Sequence, residues 1–150
     1  MNVEFRQILY GSPEYQFELD LRERILRKPL ALTLSAQDLE KDAKDFHLGA
    51  FVEGRLVGGL ILQKQGLSLV KMRQVAVETQ NQGQGIGRKL VQEAERICQQ
   101  KGVAEIILNA RSSVLGFYES LNYIKEGEAF NEVGLPHVKM RKTFIETKHL

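Results

Sequence analysis

The sequence predicts an α+β fold: a mostly antiparallel central sheet of about seven strands, with about four helices. Stretches in which apolar and polar residues alternate, as in strands, are interspersed with stretches of helical period. Glycine and proline mark the breaks between them. One amphipathic helix stands between two apolar strands, and a right-handed crossover through it would make the sheet mixed. The predicted order is strand, helix, helix, three strands, helix, strand, helix and two strands.

Length and composition indicate one globular domain. The 150 residues leave little room for a second hydrophobic core. Hydrophobic residues make up 43% of the chain and charged residues 27%, which argues against disorder. The net charge of +2 is too small to indicate a nucleic acid or a membrane surface as partner. The longest apolar run, residues 56–62, is far shorter than the roughly 20 residues of a membrane span.

The N-terminal residues and the cysteine content indicate the compartment. Residues 1–10 contain Glu4 and Arg6 and lack the apolar block of a secretory signal. The single cysteine, Cys98, forms no internal disulfide, in agreement with a reducing compartment. We therefore expect a cytoplasmic protein. Cys98 falls on the apolar face of a predicted helix, which favours a small buried thiol over a nucleophile.

The first strand and the first helix are predicted from the N-terminal residues. Residues 1–9 alternate apolar and polar side chains, as a strand does. Ser12 and Pro13 then have the character of an N-cap and a first helical residue, and they introduce a helix over residues 14–27. Pro29 ends that helix.

A second, short helix is predicted over residues 37–44. Ser35 is its expected N-cap, and Asp38 provides a partial capping box. Four basic residues precede this helix: Arg22, Arg24, Arg27 and Lys28. On a helix Arg24, Arg27 and Lys28 would share a face, and Glu23 stands four residues before Arg27, the spacing of a surface ion pair. This pattern favours a solvated helix face. Contact of this face with an anionic ligand is the alternative.

The middle of the chain predicts an antiparallel meander followed by a long helix. Three apolar runs are separated by Glu53-Gly54 and Gln65-Gly66, and they cover residues 47–52, 56–62 and 67–77. A helix over residues 84–101 follows, and Gly102 closes it. Its apolar face consists of Ile86, Leu90, Ala94, Ile97 and Cys98.

The last third of the chain predicts one more helix among three strands. Residues 103–108 are a continuous apolar run, typical of a buried strand. Ser112 or Ser113 can cap the helix that follows. That helix carries Val114, Phe117, Tyr118 and Leu121 at helical spacing. Two further strands are predicted near residues 123–130 and 137–144.

Seven residues between an apolar strand and the long helix have the most specific pattern: Gln82, Gly83, Gln84, Gly85, Ile86, Gly87 and Arg88. Alternating glycines let the main chain turn sharply with converging N–H groups, and the helix adds its unpaired first-turn donors and its positive dipole end. The pattern therefore predicts an anion-binding loop. Both a dinucleotide fingerprint and a P-loop starting at Gly83 would need glycine where Arg88 stands, and a fingerprint starting at Gly85 would need a small residue at Leu90.

In this strand-to-helix setting, Gln-x-x-Gly-x-Gly over residues 82–87 resembles the pyrophosphate loop of the GNAT superfamily of acyl-CoA-dependent N-acyltransferases. Residues 109–123, NARSSVLGFYESLNY, resemble the second signature of that family, an aromatic–tyrosine pair on the helix after the fifth strand. The predicted order of elements is also similar, so the resemblance covers most of the chain. A tight turn before a helix is the alternative explanation of the glycines.

The resemblance implies how coenzyme A would bind. It assigns to cofactor binding Val75, Ala76, Val77, Gln82, Gly83, Gln84, Gly85, Ile86, Gly87, Arg88, Asn109, Phe117 and Tyr118. The first three would offer main-chain groups to the pantetheine arm, and residues 82–88 would hold the pyrophosphate through main-chain donors. Arg88 could add a planar, charged donor. Asn109 would lie near the pantetheine, and Phe117 along the cofactor.

The resemblance also implies a mechanism without a metal or a covalent enzyme intermediate. A neutral amine would attack the thioester directly, and the Val75 N–H would stabilise the tetrahedral oxyanion. Tyr118 would act as the general acid for the departing thiolate, because a phenol with a pKa near 10 is protonated at neutral pH. The alternative for Tyr118 is an ordinary half-buried aromatic on its helix.

The general base is not fixed by the resemblance. In histone-modifying members a glutamate base stands eleven residues before the motif glutamine, where this chain has Lys71, which argues against that mechanism and a histone substrate. Glu78, Glu132 and His137 are the candidate bases, since a histidine titrates near neutrality. Structural roles for these residues and proton loss through water are alternatives.

Arg73 and Gln74 are adjacent polar residues inside an apolar strand. They line the acceptor pocket, or they form internal hydrogen bonds. The function that the resemblance implies is transfer of the acetyl group of acetyl-CoA to an amine of a small molecule or peptide. A non-catalytic acyl-CoA binding or sensing module is the alternative. The resemblance also makes a homodimer a reasonable assembly.

Overall fold

The structure, a computed structural model, describes residues 2–144, so Met1 of the predicted first strand lies outside the described residues. The predicted order of seven strands and four helices is confirmed. The strands are β1 Val3–Ile8, β2 Phe46–Val52, β3 Arg55–Lys64, β4 Leu69–Val77, β5 Glu105–Arg111, β6 Ile124–Glu132 and β7 Leu135–Thr143. The helices are α1 Pro13–Arg22, α2 Ala36–Leu39, α3 Ile86–Gln100 and α4 Leu115–Glu119.

The strands form one mixed sheet in the order β1-β2-β3-β4-β5-β7-β6. The pairs β1/β2, β2/β3, β5/β7 and β6/β7 are antiparallel. The pair β4/β5 is parallel, with Leu69 opposite Glu105 and Lys71 opposite Ile107. Two parallel strands need a crossover connection, and α3 lies in the connection between these two. The α+β class and the mostly antiparallel sheet are therefore confirmed.

Contacts within the chain group it into two compact units. The first contains β1 to β3, the part of β4 from Arg73 onward, α1, α2 and α3 as far as Ala94. A cluster of buried apolar side chains lies in this unit: Ile8, Leu21, Phe51, Leu56 and Ala76. The second unit contains Lys64–Met72 and, within the described residues, 95–144. In it, β5 alternates between buried and half-buried residues, and its buried side carries Ile106, Leu108 and Ala110.

The predicted starts of the first two helices are confirmed. The Ser12 hydroxyl accepts a hydrogen bond from the Tyr15 N–H at 3.2 Å, and Pro13 is the first helical residue. The capping box of α2 is also present: Asp38 N–H donates to the Ser35 hydroxyl, and Ser35 N–H donates to the Asp38 carboxylate.

Other helix boundaries differ from the prediction. Helix α1 ends at Arg22 and continues as a wider π-helical turn over Glu23–Arg27, and α2 has only four residues. The predicted serine cap of α4 is wrong, because a 3-10 turn over Ser112–Val114 precedes the helix and no side chain caps it. Among the described residues, no helix combines the length and apolar character that crossing a membrane requires.

Candidate active site

The glycine-rich loop has the backbone conformation that its sequence predicts. Gly83 and Gly85 have φ of +78° and +81°, in the left-handed region that side chains disfavour. A Cβ built on either residue would meet no atom within 4 Å, so this side of the main chain faces open space. Helix α3 begins directly afterwards, at Ile86. The first N–H groups of a helix have no acceptor within the helix, so an anion in that space would find several donors.

The motif glutamine ties this loop to the end of β4. The Gln82 side-chain amide donates to the Val77 carbonyl over 3.0 Å. The two residues belong to the same contact unit. The Val77 carbonyl is therefore not free, because it already accepts a hydrogen bond from Gln82. Binding of pantetheine by main-chain groups of Val75, Ala76 and Val77 stays a prediction.

Arg73 and Gln74 both have hydrogen-bond partners inside the protein. The Arg73 guanidinium donates to the Asp45 carboxylate at 3.0 Å and to the Asp38 carbonyl at 2.9 Å. The Gln74 amide oxygen accepts from Arg22 Nε at 3.4 Å, and the φ of Gln74 is +56°. These contacts are the internal bonds that the sequence left as an alternative. Binding of the acceptor by Arg73 and Gln74 stays a prediction.

A buried network of charged side chains lies behind this part of β4, and sequence analysis missed it. Its members are Tyr15, Glu18, Arg22, Asp42 and His47, and the last four are almost completely buried. Arg22 pairs with Asp42 at 2.7 Å and with Glu18 at 3.3 Å, and His47 Nδ1 lies 2.7 Å from Glu18. The available signals were the four-residue spacing of Glu18 and Arg22 and a histidine within an apolar strand.

Burial and hydrogen bonding have opposite effects on the pKa of His47 and the same effect on the pKa of Tyr15. Burial disfavours the charged imidazole of His47, but hydrogen bonds with the Glu18 carboxylate and the Asp42 carbonyl outweigh it and raise the pKa of His47. Burial and the hydrogen bond that the Tyr15 hydroxyl donates to Asp42 raise the pKa of Tyr15. The network therefore holds Tyr15 neutral and favours a charged His47.

The predicted solvated face of basic residues is wrong for Arg27, which is buried. Arg22, which precedes that face, is only 1% exposed. Arg27 pairs with Asp38 at 2.7 Å rather than with Glu23. Burial alone would raise the pKa of Asp38, but the hydrogen bonds from Arg27 and Ser35 lower it to about 2. Asp38 lies eleven residues beyond Arg27 and on a different element, where helical spacing cannot indicate it.

Glu78 is a weak candidate for the general base. Its two carboxylate oxygens accept hydrogen bonds from Arg24 at 2.7 and 2.8 Å. This bidentate contact lowers the pKa of Glu78 against the opposing effect of burial. A carboxylate held by a guanidinium is a poor proton acceptor. The choice between the other candidate bases stays a prediction.

Tyr118 lies in an apolar setting in the second unit. It is 7% exposed, and its ring meets Phe117 and Tyr123 edge-on, with centroid separations of 5.0 and 5.8 Å. Burial raises the pKa of Tyr118 to about 12. The phenol therefore carries its proton throughout the neutral range, as the predicted general acid must.

Three predicted site residues come together on β5, β6 and β7 of the second unit. The Asn109 amide donates to Glu132 Oε1 at 3.3 Å, and Glu132 Oε2 lies 3.5 Å from His137 Nε2. His137 Nδ1 lies 2.9 Å from the Leu135 carbonyl, which only accepts, so Nδ1 carries a proton. The Phe130 ring stacks on the imidazole, which is buried.

Cys98 matches its prediction as a buried thiol. It is 3% exposed, and burial raises its pKa to about 11. A thiol with a raised pKa is a poor nucleophile, because the thiolate is the reactive form.

Comparison with known proteins identifies the family. The family model described as the GNAT acetyltransferase domain matches residues 26–144. The Bacillus subtilis protein named uncharacterized N-acetyltransferase YitI is 29% identical over 131 residues, which cover 83% of this chain and 88% of that protein. The residues that the family model matches, 26–144, include both signatures that resemble the GNAT superfamily.

Solved structures support the same fold. Escherichia coli ElaA superposes with a TM-score of 0.81 at 21% identity, covering 94% of this chain and 99% of that one. A GNAT family acetyltransferase from Elizabethkingia anophelis with acetyl-CoA bound has a TM-score of 0.74 at 16% identity, covering 95% of this chain and 99% of that one. The sheet, the loop at the start of α3 and the matched family model together show that this chain belongs to the GNAT family of N-acetyltransferases.

Proposed function

We propose that this protein transfers the acetyl group of acetyl-CoA to an amine of a small molecule or a peptide by direct attack. The observation that carries the proposal is the loop at the start of α3, where Gly83 and Gly85 leave the main chain open to an anion. The related acetyltransferase from Elizabethkingia anophelis holds acetyl-CoA.

The loop binds the diphosphate of coenzyme A. The Gln82 N–H donates to the Thr79 carbonyl at 3.2 Å, so the proposed donors are the main-chain N–H groups of Gly83, Gln84, Gly85, Ile86, Gly87 and Arg88. The open space beside the two left-handed glycines gives the phosphate oxygens room to approach these groups. The guanidinium of Arg88 adds charge. Val75, Ala76, Asn109 and Phe117 hold the pantetheine arm, with Val77 sharing its carbonyl.

The chemistry is one acyl transfer. The lone pair of the neutral amine attacks the thioester carbon, a C–N bond forms, and the carbonyl oxygen becomes an oxyanion that the Val75 N–H stabilises. The oxyanion collapses, the C–S bond breaks, and the thiolate of coenzyme A leaves. Tyr118 donates a proton to this sulfur, because its buried phenol is protonated at neutral pH. The amide and free coenzyme A are the products.

The nitrogen must lose a proton, and we assign its removal to His137 and Glu132. Because Nδ1 of His137 donates to the Leu135 carbonyl, Nε2 is the ring nitrogen with a free lone pair in the neutral imidazole. Glu132 Oε2 lies 3.5 Å from that nitrogen, and a carboxylate there stabilises the imidazolium that proton uptake produces. Asn109 donates to the other Glu132 oxygen and fixes its orientation.

We also propose the compartment, the partners and the assembly of this protein. We place this single acyltransferase domain in the cytoplasm, in agreement with the buried, unpaired Cys98. The net charge of +2 favours an amine acceptor over a nucleic acid or a membrane. The proposed mechanism uses no metal. Arg73 and Gln74 border the acceptor. A homodimer is the assembly that the family resemblance favours.

A panel of amines tests the proposed function. Acetyl-CoA is incubated with the protein and with an aminosugar, a polyamine, a lysine-containing peptide or a peptide with a free N-terminus, and released thiol is measured. We expect at least one amine to accelerate thiol release above the rate without amine, with an acetylated product in the mass spectrum. Thiol release independent of every amine, without acetylated product, would contradict the proposal.

A further inference from the structure

A cavity in the first contact unit involves none of the residues to which we assign a part in acyl transfer. Its volume is about 760 Å³, which is within the range of sites that bind small molecules. It is lined by side chains of α1 and of the turns that follow this helix, from Phe17 to Lys28. The hairpin between β2 and β3 also lines it, and so does Glu78, which follows β4. All of these residues belong to the same unit.

Three of the charged side chains that line the cavity have partners within the protein. Arg24 donates to both carboxylate oxygens of Glu78, at 2.7 and 2.8 Å. The Glu23 carboxylate accepts a hydrogen bond from the Leu34 N–H at 3.3 Å. These contacts account for the three groups without a ligand.

Four further charged side chains line the cavity, are exposed and form no ion pair among the described residues: Asp20, Lys28, Glu53 and Arg55. Asp20 receives only a long hydrogen bond of 3.5 Å from the Gln16 amide. Asp20 and Arg55 act on the Arg24–Glu78 pair through longer-range electrostatics alone. Two cations and two carboxylates therefore share one cavity without neutralising each other by direct contact.

Apolar surface and accessible main chain lie beside these charges. Phe17 is 56% exposed, and Leu56 lines the same cavity. An aromatic ring beside a few polar groups is typical of a ligand site. At the tip of the hairpin, Glu53 and Gly54 have φ of +51° and +76°, and a Cβ on Gly54 would meet no atom within 4 Å. A ligand can therefore approach the main chain of the hairpin tip closely.

The signs and the spacing of the unpaired charges indicate the class of ligand. A purely anionic or purely cationic molecule would meet two groups of its own sign, whereas a zwitterion would be attracted by all four. Asp20 and Lys28 stand eight positions apart, roughly 12 Å along a helix that rises 1.5 Å per residue. An extended tripeptide spans about 10 Å between its ends, and a single amino acid far less. The cavity therefore matches a short peptide with an ammonium group, a carboxylate and an apolar side chain between them.

We propose that this cavity binds a short peptide with free ends, about three residues long. The ammonium group of the peptide contacts Asp20 and Glu53, and its carboxylate contacts Lys28 and Arg55. Its apolar side chain lies against Phe17. The contact of Lys28 is the anionic ligand that the basic face left open as an alternative. The inference goes beyond the proposed function, because it holds whether or not the protein acetylates an amine.

Titration of the 15N-labelled protein with the tripeptide Ala-Phe-Ala, without acetyl-CoA, tests the proposal. The amide resonance of Gly54 reports on the cavity, and that of Gly102, which follows α3, is the control. We expect a saturable shift at Gly54 and none at Gly102. The N-acetylated and the C-amidated tripeptides should each bind about three- to fivefold more weakly, the effect of an exposed ion pair, and the doubly blocked one about tenfold or more.

Two double substitutions show which side chains contact each end of the peptide. In Asp20→Asn/Glu53→Gln, N-acetylation of the peptide should no longer weaken binding, while amidation still should. In Lys28→Gln/Arg55→Gln we expect the reverse. Lys64→Gln is the matched control, because Lys64 is exposed and does not line the cavity, and it should bind all four peptides as the wild type does.

Several results would overturn the proposal. These are an unmoved Gly54 resonance at millimolar peptide, equal affinities for the free and the blocked peptides, and unchanged effects of blocking in both double variants. Shifts at Val75 or at residues 83–88 without a shift at Gly54 would place the peptide at the site of acyl transfer and also overturn it. The titration uses no acetyl-CoA, so its failure leaves the proposed function standing, and a protein that acetylates no amine leaves this site standing.

Discussion

The environment of Tyr118 suits a group that gives up its proton late in the reaction. Burial raises the pKa of Tyr118 to about 12, so the phenol keeps its proton until negative charge develops on the departing sulfur. We predict that Tyr118→Phe lowers kcat about 100-fold, the usual effect of removing a general acid, and leaves stabilisation by acetyl-CoA intact.

Turnover measurements and thermal unfolding with acetyl-CoA check this prediction. Tyr10→Phe is a matched control, because Tyr10 is exposed and belongs to the other contact unit. A phenylalanine variant at position 118 with wild-type kcat would assign Tyr118 to the core alone.

His137 and Glu132 carry the second residue-level prediction. We expect His137→Gln to lower kcat about 100-fold and Glu132→Gln to lower it less, because the carboxylate only stabilises the charged imidazole. Turnover with the most active amine of the panel measures both variants. A His137→Gln variant with wild-type kcat would indicate another base, or water.

At the scale of the elements, the loop before α3 depends on two backbone conformations. We predict that Gly85→Ala weakens acetyl-CoA binding about tenfold or more, because the added methyl group occupies the open space and strains a residue with φ of +81°. Titration calorimetry measures the affinity.

Gly102→Ala is the control for that strain. Gly102 follows α3, has φ of +82° and also faces open space, so alanine should cost about as much stability there. We expect its acetyl-CoA affinity to match that of the wild type. Equal affinity losses in both variants would show that backbone strain, and not contact with the ligand, explains the effect at Gly85.

The elements themselves were predictable where local chemistry decides them. Strand alternation, the amphipathic face of α3 and the Ser35 capping box each depend on residues that are close together in the sequence. Each was predicted correctly. The serine cap of α4 was not, because a 3-10 turn takes up Ser112 and Ser113 before the helix begins. Periodicity shows where a helix face runs, but it does not show which of several serines starts the helix.

At the scale of the whole molecule, the buried network links folding to pH. Its hydrogen bonds raise the pKa of His47 above the unfolded value, so the stabilisation is complete below that value, near 6.5, and is lost as pH rises through the folded-state pKa. We predict that the free energy of unfolding falls over this range in the wild type and is flatter in His47→Gln. Urea unfolding between pH 5.5 and 9 measures both, and parallel curves would contradict the assignment.

The same network marks the limit of what the sequence predicts. The loop, Tyr118 and the candidate bases follow from motifs that are local in the chain. Glu18 stands four residues before Arg22 on the same helix. The other partners of Arg22, namely Asp42, Asp38 and Gln74, come from separate elements, so the fold brings them together and helical spacing does not. Likewise, nothing in the sequence indicates the positive φ of Gln74, since glutamine rarely adopts this conformation.

The most direct test of the account is thermal unfolding with and without acetyl-CoA. A ligand at about 100 times its dissociation constant adds about 2.7 kcal/mol to the free energy of unfolding. For a chain of this size the midpoint should rise by roughly 5 to 10 °C. Adenosine, which lacks the diphosphate, should give a much smaller rise. An unchanged midpoint at millimolar acetyl-CoA would contradict the claim that the loop at the start of α3 binds this cofactor.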